Sequence, residues 1–269
     1  MSSSVTGFYR FARAVLRPIM TPWVRIEALG TENIPESGPY LLVVNHISEV
    51  DPLSLCWYFM KRDVPVRFLA KKSMFAVPVF GTIISGMGLI PVDREVSPAQ
   101  SLIPAVKALK GGEVVCIYPE GTLTREPDYW PMAFKTGAAR LALDSGVPVI
   151  PVAQWGAHTI KSRYGSGIDM RPGRTMTFSF LPALDLSDLM SEAGSANHDA
   201  VNEATNRMHR VISDGVGELR GQSAPTRIWD PLTPEGPWWE HEGRAAAEEP
   251  PASQAKRRTQ KRNAQEPRG

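Results

Sequence analysis

Tyr40-Leu41-Leu42-Val43-Val44-Asn45-His46-Ile47-Ser48-Glu49-Val50-Asp51-Pro52 runs from an unbroken apolar stretch into a polar turn and leaves it at an Asp-Pro pair. The apolar stretch reads as a buried strand. Asp51-Pro52 reads as a helix start, with Asp51 as N-cap and Pro52 in the first helical position, where the missing N–H costs nothing. Strand, turn and helix in that order form the unit of an α/β sheet, and such junctions expose side chains at the edge where ligands bind. His46 stands at this junction with a carboxylate five residues on. That pair suits removal of a proton from a hydroxyl: His46 as base, Asp51 fixing the tautomer and stabilising the imidazolium. Alone the pair decides little, because a histidine near a strand end is usually bonded to backbone and Asp before Pro is usually only a cap.

Outward from this stretch the same alternation continues. Trp23-Val24-Arg25-Ile26-Glu27 has the in-and-out pattern of an edge strand. Further strands are predicted over 66–69, 89–92, 114–118, 147–152 and 176–180. Ser97-Pro98-Ala99-Gln100 has the form of a capping box, and Gly111-Gly112 ends the helix it opens. Helices are also predicted from Phe134 to Asp144, closed by Gly146, and from about Asp199 to Arg220, with Val201, Ala204, Met208, Val211, Ile212 and Leu219 on one face. Strands alternating with helices predict an α/β fold: a single domain whose largely parallel central sheet is flanked by helices. At its N-terminus the pattern predicts an amphipathic helix, Phe8 to Arg17, closed by Pro18 and Pro22. There Phe8, Phe11, Ala12, Val15 and Leu16 oppose Arg10, Arg13 and Arg17, as in a helix lying in a membrane interface. The expected organisation is therefore an interfacial segment over 1–22, the domain over 23–222, and a proline-rich then basic, disordered tail over 223–269.

Composition narrows the function classes. The 269 residues suffice for one sizeable core, and the net charge of +2 is no general nucleic-acid-binding composition. Two cysteines, Cys56 and Cys116, make neither a disulfide framework nor a metal site. No signal peptide is visible, since arginines are spread through the first apolar residues rather than ahead of them. The stretch from Ser73 to Val92 is free of charge and about long enough to cross a bilayer, but its prolines and glycines predict short pieces in a core or a lipid-facing groove.

Four clusters join the opening pair. Gly88-Leu89-Ile90-Pro91-Val92-Asp93-Arg94 puts an arginine past a strand end. Tyr118-Pro119-Glu120-Gly121-Thr122 leaves a strand with a carboxylate and a hydroxyl at a glycine turn. Val147-Pro148-Val149-Ile150-Pro151 is a strand bounded by prolines, and Phe68-Leu69-Ala70-Lys71-Lys72 brings two lysines to a strand end. Each is weak alone. The ordered set Asn-His-x4-Asp, Gly-x5-Arg, Pro-Glu-Gly-Thr and Val-Pro-x-x-Pro resembles the four blocks of the glycerolipid acyltransferase family, which acylates glycerol phosphate and lysophospholipids and includes the 1-acylglycerol-3-phosphate acyltransferases. The resemblance runs from about Val24 to Phe180, and Phe134-Lys135-x-Gly137 belongs to it.

That resemblance implies O-acyl transfer in phospholipid biosynthesis. The donor would be acyl-CoA or acyl carrier protein, and the acceptor lysophosphatidate or a related lysophospholipid, with no cofactor and no metal. It implies His46 as the base and Asp51 as its partner. Arg94, with Lys71 or Lys72, would clamp the acceptor phosphate, because a guanidinium matches phosphate oxygens with a fixed fork of donors. Glu120, Gly121 and Thr122 would shape the acceptor site. Many members carry an arginine directly after Glu-Gly-Thr; here Leu123-Thr124-Arg125 follows, so Arg125 is displaced by two positions and the acceptor stays open. The expected location is peripheral, on the cytoplasmic face of the cell membrane, with the membrane surface as a partner and no nucleic acid. A lipid esterase or thioesterase using the same pair on water is the enzymatic alternative, although Tyr164-Gly165-Ser166-Gly167 lacks the spacing of a serine nucleophile turn. A peripheral lipid-binding protein is the non-enzymatic alternative, and it leaves the polar residues at successive strand ends unexplained.

Overall fold

The computed structural model describes residues 7–232, apart from Arg94, Tyr164 and Ser166. Seven strands form one sheet: β1 (Val24–Leu29), β2 (Leu41–Val44), β3 (Val66–Lys71), β4 (Ile90–Val92), β5 (Val114–Ile117), β6 (Val149–Trp155) and β7 (Arg174–Phe180). Their order is β1-β7-β6-β2-β5-β3-β4. The β6–β7 pair is antiparallel and every other neighbouring pair is parallel. Among the described residues six α-helices surround the sheet: α1 (Gly7–Trp23), α2 (Asp51–Met60), α3 (Phe80–Gly86), α4 (Pro98–Lys110), α5 (Gly137–Ser145) and α6 (His198–Arg220). The α/β architecture is the one the sequence predicts.

Strand β2 shows why the molecule has two cores. All four of its residues are buried. Leu42 and Val44 project into the core beneath α1 and α2, with Trp57, Phe59, Phe178 and Phe180. Leu41 and Val43 project into the other, with Leu109, Leu141, Met208 and Ile212 from α4, α5 and α6. Successive side chains alternate across a strand, so a strand covered on both faces must be apolar throughout.

The helix ends follow their sequence signals in most cases. Ser97 Oγ accepts from Gln100 N at the start of α4, and Asn197 Oδ1 accepts from Ala200 N at the start of α6. Three local expectations change. Helix α1 does not stop at Pro18 but continues through Pro18 and Pro22 to Trp23. Burial of Met20 and Trp23 against the core offsets the two lost backbone donors. Its inward side carries Tyr9, Ala12, Leu16, Met20 and Trp23, while Phe11, Val15 and Ile19 face out. Arg13, half-buried, pairs with the exposed Asp63 beyond the end of α2. Helix α5 begins at Gly137 rather than Phe134, because Lys135 N is held by Pro119 O.

The segment after α6 packs back: Ala133 N donates to Trp229 O at 2.8 Å, so chain beyond residue 222 touches the domain as far as Trp229. The tail beyond Leu232, with Trp238, Trp239 and the basic cluster, lies outside the described residues, as does the expectation of its disorder. No helix among the described residues is long and apolar enough to cross a membrane. The charge-free stretch 73–92 folds as a short 3-10 helix (Lys72–Ala76), α3 and β4.

Candidate active site

The turn after β2 places His46 at the carboxyl edge of the sheet, and α2 starts at its far end. His46 Nδ1 lies 2.9 Å from Asp51 Oδ2. The same oxygen accepts the N–H of Ile47 at 2.7 Å and of Ser48 at 2.9 Å. Asp51 is therefore the first helical residue rather than its N-cap, which is Val50. Its carboxylate turns back to gather the amides of the preceding loop instead of capping the helix. Burial raises the Asp51 carboxyl above its usual range, and the His46 ring and the two amides pull it back down. With Nδ1 donating to the carboxylate, Nε2 is the nitrogen left to accept a proton. The His46 side chain is 15% exposed and Asp51 is fully buried, so the base can be reached and its partner is shielded.

A second loop, after β5, fixes His46 from its other side. Glu120 Oε1 accepts the His46 backbone N–H at 2.7 Å, and Glu120 Oε2 accepts from Met132 N at 3.2 Å. Thr124 N donates to the His46 carbonyl at 2.7 Å. The Thr124 hydroxyl donates to Trp130 O at 2.7 Å and accepts from Glu126 N. The Tyr118 ring stacks on the imidazole with centroids 4.2 Å apart and planes inclined by 26°. Burial pushes the Glu120 carboxyl up to about 8 and that of Glu126 to about 7. On the third side Asn45 and Gln154, both fully buried, clasp each other across β2 and β6. Gln154 N reaches Asn45 Oδ1 at 2.8 Å, and Asn45 Nδ2 reaches Gln154 O at 3.1 Å.

The predicted site residues thus fall into two sets. His46, Asp51 and Glu120 come together, although Glu120 is 1% exposed and bonds inward to backbone rather than lining an acceptor site. Gly121 turns the chain with φ +71°, a conformation that favours glycine, and a Cβ there would stand 2.9 Å from Lys135 Nζ, the movable end of a flexible side chain. That approach brings the Lys135 amine over the Glu-Gly-Thr turn. Thr122 and Arg125 are exposed beside it. Lys71 ends β3 and Lys72 opens the short 3-10 helix after it; both are exposed, and Lys72 Nζ holds Asp93 Oδ2 at 2.7 Å. Arg94 lies outside the described residues. Among the described residues no group of His, Cys, Asp and Glu could hold a metal ion.

Four supporting residues went unread in the sequence: Thr124, Gln154, Ser48 and Arg163. Ser48 Oγ donates to Lys161 O at 2.7 Å, tying the His46 turn to the loop after β6. Arg163 in that loop donates to the carbonyls of Thr124 at 2.8 Å, Pro127 at 2.9 Å and Glu126. A polar residue at a strand end, as in Gln154, was the one signal available; the rest bond to backbone, for which sequence carries no mark.

Comparison with known proteins places this arrangement. A family model described as Acyltransferase matches residues 25–155, from β1 to the end of β6. The 1-acyl-sn-glycerol-3-phosphate acyltransferase alpha of Mus musculus is 30% identical over 198 residues, which cover 72% of this chain and 67% of the mouse protein. The Bacillus subtilis 1-acyl-sn-glycerol-3-phosphate acyltransferase is 28% identical over 69% of this chain and 92% of its own length. The chain spans half the length of the Borreliella burgdorferi protein of the same name, at 34% identity over 131 residues. Among solved structures, the 1-acyl-sn-glycerophosphate acyltransferase PlsC from Thermotoga maritima shares the fold, with a TM-score of 0.61, 24% identity and about four-fifths of each chain covered. The extent of the mouse relative, together with a family model that spans the strands bearing His46 and Glu120, settles the matter: this chain belongs to the acyltransferase family.

Proposed function

We propose that this protein transfers a fatty acyl group from a thioester donor, acyl-CoA or acyl carrier protein, to the free hydroxyl of lysophosphatidate or a related lysophospholipid. The observation that carries this reading is the His46–Asp51 pair at the carboxyl edge, with Nδ1 committed to a buried carboxylate and Nε2 left as base. His46 Nε2 takes the hydroxyl proton as the acceptor oxygen attacks the thioester carbonyl. The carbon–sulfur bond then breaks, and the imidazolium returns its proton to the leaving thiolate. Asp51 stabilises the imidazolium between these steps. Such general-base help is worth about 10²–10⁴ in rate. No enzyme-bound acyl intermediate is needed, because a thioester already carries a good leaving group.

The acceptor phosphate is assigned to the exposed cations Lys71, Lys72 and Arg125, with Lys135 beside Gly121, and by its place in the sequence motif to Arg94. The printed names of the relatives support lysophosphatidate as acceptor. The displaced Arg125 keeps other lysophospholipids in the panel. The outward row Phe11, Val15 and Ile19 on α1, with the exposed Arg10 and Arg17 on the same helix, supports peripheral binding to the cytoplasmic face of the cell membrane.

The test is incubation of the purified protein with labelled acyl-CoA or acyl carrier protein and a panel of lysolipids, following both diacyl lipid and free fatty acid. Diacyl product that disappears in His46→Ala is the expected result. Free fatty acid without acylated lipid means hydrolysis instead, and neither product means a binding protein.

A further inference from the structure

The four motif blocks end with β6, and so does the stretch matched by the family model, at residue 155. The next segment, 156–163, nevertheless touches both loops that hold His46. Its Lys161 carbonyl accepts from Ser48 Oγ at 2.7 Å, and Lys161 Nζ pairs with Glu49 at 2.5 Å, both in the His46–Asp51 turn. Two residues on, the Arg163 guanidinium reaches the other loop. It donates to the carbonyls of Thr124, Glu126 and Pro127 and lies over the Tyr129 ring, 4.1 Å from its centroid. One of those carbonyls belongs to Thr124, whose own N–H holds the His46 carbonyl at 2.7 Å.

We propose that Arg163 is a positioning residue for the catalytic base: it fixes the 124–127 backbone, and that backbone fixes His46. The argument rests on what a guanidinium does that an ammonium does not. A planar fork of five donors can satisfy three carbonyls converging from a turn while its flat face stacks on an aromatic ring. Backbone carbonyls so gathered cannot drift apart without breaking charge-assisted bonds. The 124–127 stretch has no regular secondary structure of its own, and what holds it besides Arg163 is local: Thr124 Oγ1 bonded to Trp130 O and Glu126 N, and Glu126 Oε2 accepting from Trp130 N. Tyr129, the ring under the guanidinium, even takes a positive φ of 65°, a conformation that a non-glycine residue keeps only where its surroundings impose it. The lateral position of His46 therefore depends on a residue from the loop after β6. The imidazole remains tied to Asp51 whatever Arg163 does, so the expected fault is misplacement of the base relative to substrate, not loss of its basicity.

This inference rests on His46 being the base of the acyl transfer proposed above, and the experiment separates the two. Wild type, Arg163→Gln and Arg163→Lys are compared in the full chain, with Arg171→Gln, an exposed arginine of the same loop, as control. Misplacement by about 1 Å costs about 10²-fold in turnover, so kcat in Arg163→Gln is expected to fall by that order while the KM of donor and acceptor stays within about twofold. Arg163→Lys recovers only part, since one ammonium cannot span three carbonyls, and Arg171→Gln matches wild type. Added guanidinium ion restores turnover to Arg163→Ala. Nitrogen-15 spectra of the His46 ring, recorded without substrate, are expected to shift or broaden in Arg163→Gln and not in Arg171→Gln. Unchanged kcat with unchanged ring signals overturns the proposal, as does a loss that guanidinium fails to restore while the ring signals stay put. Should Arg163→Gln not fold, the Arg163→Lys spectra and kcat decide it alone. If wild type transfers no acyl group and the ring signals still respond to Arg163, the positioning stands and the acyl-transfer reading falls.

Discussion

Two corners of the same sheet edge are built in opposite ways. At the end of β2, His46 has its backbone N–H, its backbone carbonyl, its ring face and its Nδ1 all engaged, by Glu120, Thr124, Tyr118 and Asp51. At the ends of β3 and β4, some strands away, Lys71, Lys72, Met74, Val77, Val79 and Phe80 stand exposed around a surface ion pair between Lys72 and Asp93. The first corner is fixed by buried bonds and the second is an open rim of cations and apolar side chains. A proton transfer needs its partners placed within a few tenths of an ångström, and a flexible amphiphile with a charged head does not. Under the acyl transfer proposed above, the difference suits the first corner to chemistry and the second to substrate capture.

The largest effects belong to the fixed corner. Asp51→Asn is expected to keep the fold, because the amide oxygen can take the place of Oδ2 for the two loop N–H groups. It removes the charge that stabilises the imidazolium, so turnover falls by about 10²–10⁴-fold with little change in circular dichroism. Normal turnover in this variant means that His46 is not the base. His46→Ala should fall as far or further.

Next comes a pH effect on stability. Glu120 and Glu126 are raised to about 8 and about 7, from an ordinary value of 4.5, chiefly by burial. Between the ordinary and the raised value the folded chain keeps protons that the unfolded chain has released. More protons on the folded state means that stability falls as pH rises through that window. Unfolding free energies from denaturant titrations between pH 5.5 and 8 are therefore expected to decline, by an amount on the order of a few kcal/mol in total. Glu120→Gln is expected to flatten the decline. It starts lower at pH 5.5, because its NH₂ must face either the His46 or the Met132 N–H, at a cost of about 1–3 kcal/mol. A slope unchanged in Glu120→Gln would place the titration elsewhere.

The same contrast explains what the sequence revealed. The seven strands were legible because a sheet covered on both faces demands apolar runs, as in Leu41-Leu42-Val43-Val44, and the edge strand β1 because one side of it meets water. His46 and Asp51 were legible because proton transfer requires those side chains at that spacing. What holds them was not, since Thr124 and Arg163 act through backbone N–H and C=O groups that every residue owns. Glu120 was found for its motif but read as facing substrate, when it is turned inward to a neighbour 74 positions away in the chain. Helix α1 was found by its period, yet its phase was misread. Tyr9, Met20 and Trp23 outweigh Phe11 and Val15 in the contest for burial, and the local pattern could not show which stripe would meet α2.

At the open corner effects should be smaller. Lys72→Ala breaks only an exposed ion pair, so no measurable loss of stability is expected. If the rim captures the acceptor phosphate, the acceptor KM rises several-fold, roughly the loss of one exposed charge contact, while the donor KM holds. Equal changes in both would make Lys72 structural.

The smallest effect on chemistry, and the one that tests the membrane reading, lies on α1. Its two faces should respond to substitution in opposite ways. Phe11, Val15 and Ile19 are 65%, 48% and 48% exposed and contribute little to the core, so replacing all three by serine should leave the thermal midpoint nearly unchanged. Those side chains are what a bilayer would bury. Partition to vesicles rich in phosphatidylglycerol should fall roughly tenfold or more, and added salt should weaken the wild type through Arg10 and Arg17. On the inner face, Met20→Ala removes a side chain that is 1% exposed and should cost about 2–5 kcal/mol of stability. It should leave vesicle partition of the folded fraction alone. If instead the outer-face triple variant unfolds and still binds vesicles, the outward stripe is part of the fold, and attachment to the membrane must come from the apolar rim at Val77, Val79 and Phe80.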